Sequence, residues 1–241
     1  MRIACLAFIF AMPLMASNVL TERAKQLLKQ PAGHAEAVTL LVQVIAQNPD
    51  DAEALTLLGI VRMGSKGITP DDLRTQVEPL FEKALAVWER SPDANPADVA
   101  LSFEAEAKLL TELDRTAEAV PMQARASGLR KQVVKAIPFA APSAGAPSRV
   151  GSGVSAPSVL FKIDPEYAEM ARILKLSGTV LVSVVIDGNG APTNIQLVRS
   201  LGFGLDEKAV EAVSKWKFNP GLKDGQPVSV QAQIEVNFRL L

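Results

Sequence analysis

Val228, Val230, Ala232, Ile234, Val236, Phe238 and Leu240 alternate without a break with Ser229, Gln231, Gln233, Glu235, Asn237 and Arg239. Side chains on a strand point to opposite faces at each step, so this pattern demands an extended strand with one dry and one wet face. A helix would scatter the same apolar residues around its whole circumference. The chain must therefore contain an antiparallel sheet covered on one side, and the sequence upstream has to supply its other strands and its cover. Thr179–Asp187 puts Val180, Val182, Val184 and Ile186 on one face, and Thr193–Ser200 reads as the next strand. Between them, Asp187-Gly188-Asn189-Gly190 has the composition of a hairpin loop, because Gly and Asn adopt positive φ cheaply. The same loop lacks the downstream carboxylates that a calcium site would need. Cover is predicted from two helices. One opens at Asp164-Pro165-Glu166-Tyr167, with Asp164 as N-cap, Pro165 at the first helical position and Tyr167, Ala171 and Leu174 on one face. The other spans Leu205 to Trp216 and buries Leu205, Ala209, Val213 and Trp216. The order α-β-β-α-β predicts an α+β domain over 158–241: a three-stranded antiparallel sheet with two helices on one face.

Upstream the composition changes twice. Residues 136–157 are almost wholly Ala, Pro, Ser, Gly and Val, with Arg149 the single charge, and read as a mobile linker unable to bury a core. Residues 20–135 carry helical patterning, an all-α region. Ala35-Glu36-Ala37-Val38 recurs as Ala117-Glu118-Ala119-Val120, and Val38, Leu41, Val42 and Ile45 form an apolar stripe ended by Asn48-Pro49-Asp50-Asp51. Ala37, Leu41, Val44 and Pro49, followed by Leu55, Leu58 and Gly59, resemble the tetratricopeptide (TPR) spacing: small residues let paired helices approach, and Pro ends the second helix. Gly64–Asp72 reads as an insertion, after which Val77, Phe81 and Ala84 resume the pattern. A last helix pair is expected over Pro96–Leu113 and Thr116–Val134.

Residues 1–17 read as a targeting signal: Arg2, an apolar run from Ile3 to Met15, then Ala16 or Ser17 for cleavage. The run is too short for a spanning helix. An exported, periplasmic protein is expected, soluble after cleavage, with retention as an inner-membrane anchor the alternative. The single cysteine, Cys5, lies within the signal, so the mature chain is expected to hold no disulfide or thiolate metal site. Charge is balanced, 25 basic against 26 acidic residues, which gives no reason to expect nucleic acid as a partner. No catalytic constellation appears. His34 is the single histidine and lies in the helical region, no phosphate-binding Gly-Lys-Ser/Thr loop is present, and Asp206 and Glu207 read as charges at a helix N-terminus. Trp216 and Phe218 read as core. No enzyme, cofactor or metal is expected.

Residues 158–241 also resemble the TonB C-terminal family, and in order. Asp164-Pro165-Glu166-Tyr167-Ala168, Ala171-Arg172 and Gly178-Thr179-Val180 resemble its opening, with Ala168 where a second proline is usual. Asp187–Gly190, Val198-Arg199-Ser200, Leu205-Asp206, Trp216-Lys217-Phe218-Asn219-Pro220 and Gly225-Gln226-Pro227-Val228 resemble its later motifs. The resemblance implies a module that pairs its last strand with a short segment of outer-membrane receptors, in service of transmembrane transport. By that carry-over the binding residues are Val228, Ser229, Val230, Gln231, Ala232, Gln233, Ile234, Glu235, Val236, Asn237 and Phe238, with Asp164 at a receptor-contacting position. From the residues alone, an edge strand without ligand or a homodimer contact stays open as an alternative. Two functions stay open. One is an energy transducer, which by the resemblance needs an anchor with a Ser-x-x-x-His motif for the ExbB–ExbD motor; residues 1–20 hold no histidine. The other is a non-energised periplasmic adaptor whose TPR-like groove holds a second protein.

Overall fold

The computed structural model describes residues 7–138, 146–151 and 153–240, with side chains described from Ser17 onward. Arg2, Cys5 and the linker stretch 139–145 lie outside the described residues, as do the side chains of the apolar run up to Ala16. The chain groups into two compact units, Met1–Arg125 and Ala126–Leu241.

The first unit is helical. α1 (Ala7–Leu28) and α2 (His34–Gln47) pack together through a stripe of Ser17, Thr21, Ala24 and Leu28 on one and Ala37, Leu41 and Val44 on the other. The stripe on α2 differs from the one expected: Val42 is exposed, and Val38 and Ile45 are only partly buried. Ala37, Leu41 and Val44 share the inward face of α2, which leaves Val42, one step past Leu41, on the outer side. α3 (Ala52–Met63) is buried on almost every face, as befits a central helix. Asp51 caps it, accepting the Ala54 N–H at 2.9 Å and the Ser17 hydroxyl at 2.8 Å. After the breaker segment, α4 (Pro70–Asp72) runs through a wide π turn, Leu73–Val77, into α5 (Glu78–Trp88), whose Phe81 ring lies against Gly59 where any Cβ would collide. α6 (Pro96–Glu112) and α7 (Thr116–Ala136) occupy the two stretches expected to be helical, with Ala107, Leu110, Ala119 and Met122 clustered between them, and α7 continues past Arg125 into the second unit. A buried hydroxyl chain joins three helices: Ser102 Oγ lies 2.6 Å from Thr56 Oγ1 and accepts the Trp88 indole N–H at 2.7 Å.

The second unit is built on a three-stranded antiparallel sheet in the order β3-β2-β7, with β2 (Gly178–Ile186) central, β3 (Pro192–Arg199) on one side and β7 (Val230–Phe238) on the other. Val180, Val182, Val184 and Ile186 are fully buried on its dry face, where α9 (Leu205–Ser214) packs against β2 and β3 through Leu205, Ala209, Val210 and Val213. Four short strands add two ribbons that the alternation did not announce. β1 (Ser158–Phe161) pairs with β4 (Lys217–Asn219), and β5 (Gly221–Lys223) pairs with β6 (Gln226–Val228). The second ribbon turns at Asp224-Gly225, both with positive φ (52° and 78°), a two-residue hairpin. Val228 therefore belongs to β6, opposite Gly221, and the alternation read as one strand is interrupted at Ser229; Leu240 lies beyond its end.

Asp164 does not cap a helix. Residues 163–168 belong to no helix or strand, and α8 (Glu169–Ile173) starts after an extended Ala168 with no side-chain cap. Tyr167 fixes the segment instead, its ring edge-on to Phe238 at 5.6 Å and its hydroxyl donating to the Leu176 carbonyl. The Trp216 indole N–H donates to the Ile163 carbonyl at 2.8 Å.

Between β3 and α9, Asp206 is wholly buried and accepts three donors: the Ser200 hydroxyl at 2.5 Å and the Leu201 and Gly202 N–H groups at 2.8 and 3.2 Å. Burial pushes its carboxyl above the usual range, an effect opposed by the Ser200 and Leu201 bonds. Asp206→Ala leaves those donors without an acceptor and is expected to cost about 1–3 kcal/mol. Asp206→Asn, which keeps an acceptor, is expected to cost less; urea unfolding of the two variants measures the difference.

Candidate functional site: the open edge of the sheet

A three-stranded sheet has two edges, and here they differ. The β2–β3 register shifts twice, between Leu181 and Val182 and between Ser183 and Val185. β3 also begins with Pro192 and holds Asn194 at a φ of 48°. Bulges and proline are what natural edges use to refuse further pairing. The β2–β7 register runs unbroken from Gly178↔Phe238 to Ile186↔Val230. β7 is thus the straight edge, without Lys or Pro.

Two bonds show which way its backbone points. Ser148, upstream of β1, lies alongside β7: its N–H donates to the Ser229 carbonyl at 2.8 Å and its carbonyl accepts from the Gln231 N–H at 3.0 Å. The Gln231 N–H therefore faces away from β2. In an antiparallel pair the backbone groups of successive residues alternate between the partner and the opposite side. Gln233, Glu235 and Asn237 consequently direct their N–H and C=O groups to the open edge, whereas Val230, Ala232, Ile234, Val236 and Phe238 bond to β2. Among the described residues no backbone bond from another segment reaches β7 beyond Gln231.

Side chains follow the same period. Val230, Val236 and Phe238 are buried, Ala232 and Ile234 are half-buried, and Gln231, Gln233, Glu235 and Asn237 are exposed on the wet face. That face is tied across strands: Gln231 Nε2 donates to Ser183 Oγ at 3.0 Å, Thr179 Oγ1 donates to Asn237 Oδ1 at 2.6 Å, and Arg199 lies 3.9 Å from Glu235. Asp164 is exposed, 3.8 Å from Lys162, and no described contact joins it to β7. Its neighbour Tyr167 is what reaches that strand, through Phe238. Sequence reasoning passed over β1, where Val159, Leu160 and Phe161 are each more than half exposed. The signal was present: an apolar triplet directly after the linker.

The hairpin loop between β2 and β3 consumes its own acid. Asp187 Oδ1 accepts the Asn189 and Ala191 N–H groups at 2.9 and 2.8 Å. Gly190, at a φ of 80°, lies so close that a Cβ would meet the Phe218 carbonyl, and its own carbonyl accepts the Phe218 N–H at 3.0 Å. No group of His, Cys, Asp and Glu fit to hold a metal ion occurs among the described residues.

Residues 163–240 match the family described as Gram-negative bacterial TonB protein C-terminal. Among curated proteins the chain is 31% identical over 103 residues to Protein TonB of Vibrio cholerae serotype O1, a stretch covering 39% of this chain and 42% of that protein. It is 35% identical over 77 residues to Protein TonB of Xanthomonas campestris pv. campestris, covering 32% and 34%. The chain thus spans less than half the length of these relatives. A solution NMR structure of the Pseudomonas aeruginosa TonB CTD is 26% identical, with 39% of this chain and 93% of that one covered, at a TM-score of 0.31. The second unit of the chain carries a TonB-type C-terminal domain. No described helix is long and apolar enough to cross a membrane.

The backbone geometry predicts a sharp contrast between neighbouring prolines. Ala232→Pro removes an N–H that serves β2 and is expected to destabilise the unit by about 1–3 kcal/mol more than Gln233→Pro, whose lost N–H faces the open edge. Circular dichroism during urea unfolding distinguishes them, and equal destabilisation would mean that the edge assignment is reversed.

Proposed function

We propose that this chain is a TonB-family binding module that holds an extended segment of an outer-membrane transporter, or of another envelope protein, along the open edge of β7. The observation that carries the reading is the row of outward backbone groups on Gln233, Glu235 and Asn237, on a strand with no bulge, Lys or Pro. Such a row is what β-augmentation uses: main-chain bonds supply affinity and the flanking side chains supply selectivity. Exposed Gln231, Gln233 and Asn237 suit a partner strand with polar side chains on the same face, and Glu235 favours a basic one. Val228 plays no part in this pairing, because β6 engages it with Gly221. Asp164 stands apart from the edge and influences only a partner that extends past Tyr167.

In this reading the chain acts in the periplasm and serves transport across the outer membrane. A non-energised adaptor is the second reading; the helical unit favours it by offering a separate surface with a cleft of its own. Homodimerisation through β7 is a competing use of the same edge.

The test is titration of the full chain with synthetic peptides from the periplasmic N-termini of outer-membrane receptors, followed by isothermal calorimetry. Gln233→Ala is expected to retain binding, since the backbone is unchanged. Gln233→Pro, shown to be folded by circular dichroism, is expected to weaken binding by about tenfold. A folded proline variant that binds as well as the parent sinks the proposal. Sedimentation of the parent alone reveals whether β7 is instead taken by a second copy.

A further inference from the structure

In the helical unit, α5, α6 and the start of α7 enclose a cleft of about 330 Å³. Glu82, Glu89, Glu106 and Glu118 line it, and Arg115 is the one cation among the lining residues. That cation is already taken. Its guanidinium makes a two-toothed pair with Glu118, both bonds at 2.8 Å, and a further bond to Glu78. Glu89 has Arg125 at 3.8 Å. Glu106 is different in kind: it is 5% exposed, and its Oε2 is buried without a hydrogen-bond partner. A buried carboxyl oxygen left unsatisfied is costly, and native structures seldom keep one without a use. Leu85, Leu110 and Met122 supply apolar wall beside it.

We propose that this cleft is a binding site for a cationic side chain, an arginine or lysine, of a partner polypeptide, with Glu106 as its ion-pairing acceptor. The chemistry matches on both counts. A long basic side chain has an apolar stem, which Leu85, Leu110 and Met122 can cover, and a charged head that needs a desolvated carboxylate to make a strong charge-assisted bond. Glu82, for which no ion pair is described, adds a second acceptor at the mouth. A hard metal ion fits less well: it wants six or more converging oxygens, and no metal-holding cluster occurs among the described residues. This site lies wholly in the first unit and is independent of the β7 edge.

The site is also coupled to protons. Burial first, then the carboxylates of Glu78, Glu82 and Glu118, raise the Glu106 pKa to about 7, with Arg115 pulling the other way. The folded value is above the unfolded one, so the protonated carboxyl stabilises the fold at low pH and this contribution is lost as pH rises through about 7. A bound cation requires the ionised form and is therefore expected to release a proton near neutrality.

The probe is a capped Ala-Arg-Ala peptide, with capped Ala-citrulline-Ala as its neutral counterpart, titrated into the full chain by NMR and calorimetry. Saturable binding of the arginine peptide and none of the citrulline peptide is expected. Affinity should be about tenfold higher at pH 8 than at pH 6, following the ionised fraction of Glu106. Glu106→Gln should remove binding while keeping the fold and raising thermal stability at pH 8, which separates loss of a ligand from loss of structure. Glu82→Gln should weaken binding less. Equal binding of the two peptides, pH-independent affinity, or undiminished binding by Glu106→Gln overturns the proposal. Saturable calcium or magnesium binding abolished by Glu106→Gln, with no response to the arginine peptide, overturns it in favour of a metal site.

Discussion

The backbone of β2 is paired from both sides, by β3 between Leu181 and Ile186 and by β7 along its whole length. It lies between β3 and β7, its dry face is filled by Val180, Val182, Val184 and Ile186, and an unpaired polar group there would have no water to turn to. That single demand settles the geometry of both neighbours. Each must spend alternate residues on β2, and each is left with the other alternate set facing away. In β3 the outward set is broken up by register shifts. In β7 it stays in line because every residue from Val230 to Phe238 is opposed one for one. The open row of backbone groups on β7 is thus a by-product of pairing the central strand.

Two buried acids show how differently the fold treats ionisable groups. Asp206 is surrounded by donors from Ser200, Leu201 and Gly202, so its charge is spread over the turn leading into α9 and does structural work. Glu106 sits among other carboxylates, and its buried oxygen meets no donor. Burial is the largest influence raising both. What separates a structural acid from an interactive one is whether the surrounding chain completes its hydrogen bonding. Arg130, buried on α7 and 2.8 Å from Glu207 beside Asp206, extends the structural group in the second unit.

Much of this was legible in the sequence because it rests on period. The strands at 178–186, 192–199 and 230–238 and the helix at 205–214 follow from alternation and from apolar spacing. The backbone direction along 230–238 was legible for the same reason: residues that alternate in burial also alternate in backbone direction. The short ribbons were not, since three or four residues carry too little period to register, although Asp224-Gly225 is a strong hairpin signal in its own right. The expected cap at Asp164 failed because local preference at Pro165 was weighed without the tertiary contact of Tyr167 with Phe238. The acid at Glu106 could not be singled out among so many surface glutamates; burial together with an unpartnered carboxyl oxygen distinguishes it.

Composition also said nothing of Ser148. Within a stretch of small residues it bonds to Ser229 and Gln231, so one end of the receiving edge is already occupied by the chain itself. A tethered segment competes at a local concentration of the order of millimolar, whatever the dilution of the protein. An incoming strand that covers only Gln233 to Asn237 meets no rival, whereas a longer one that reaches Gln231 must evict Ser148. In the proposed pairing the resident segment would act as a ruler, setting the length at which each added residue of a guest stops adding net affinity.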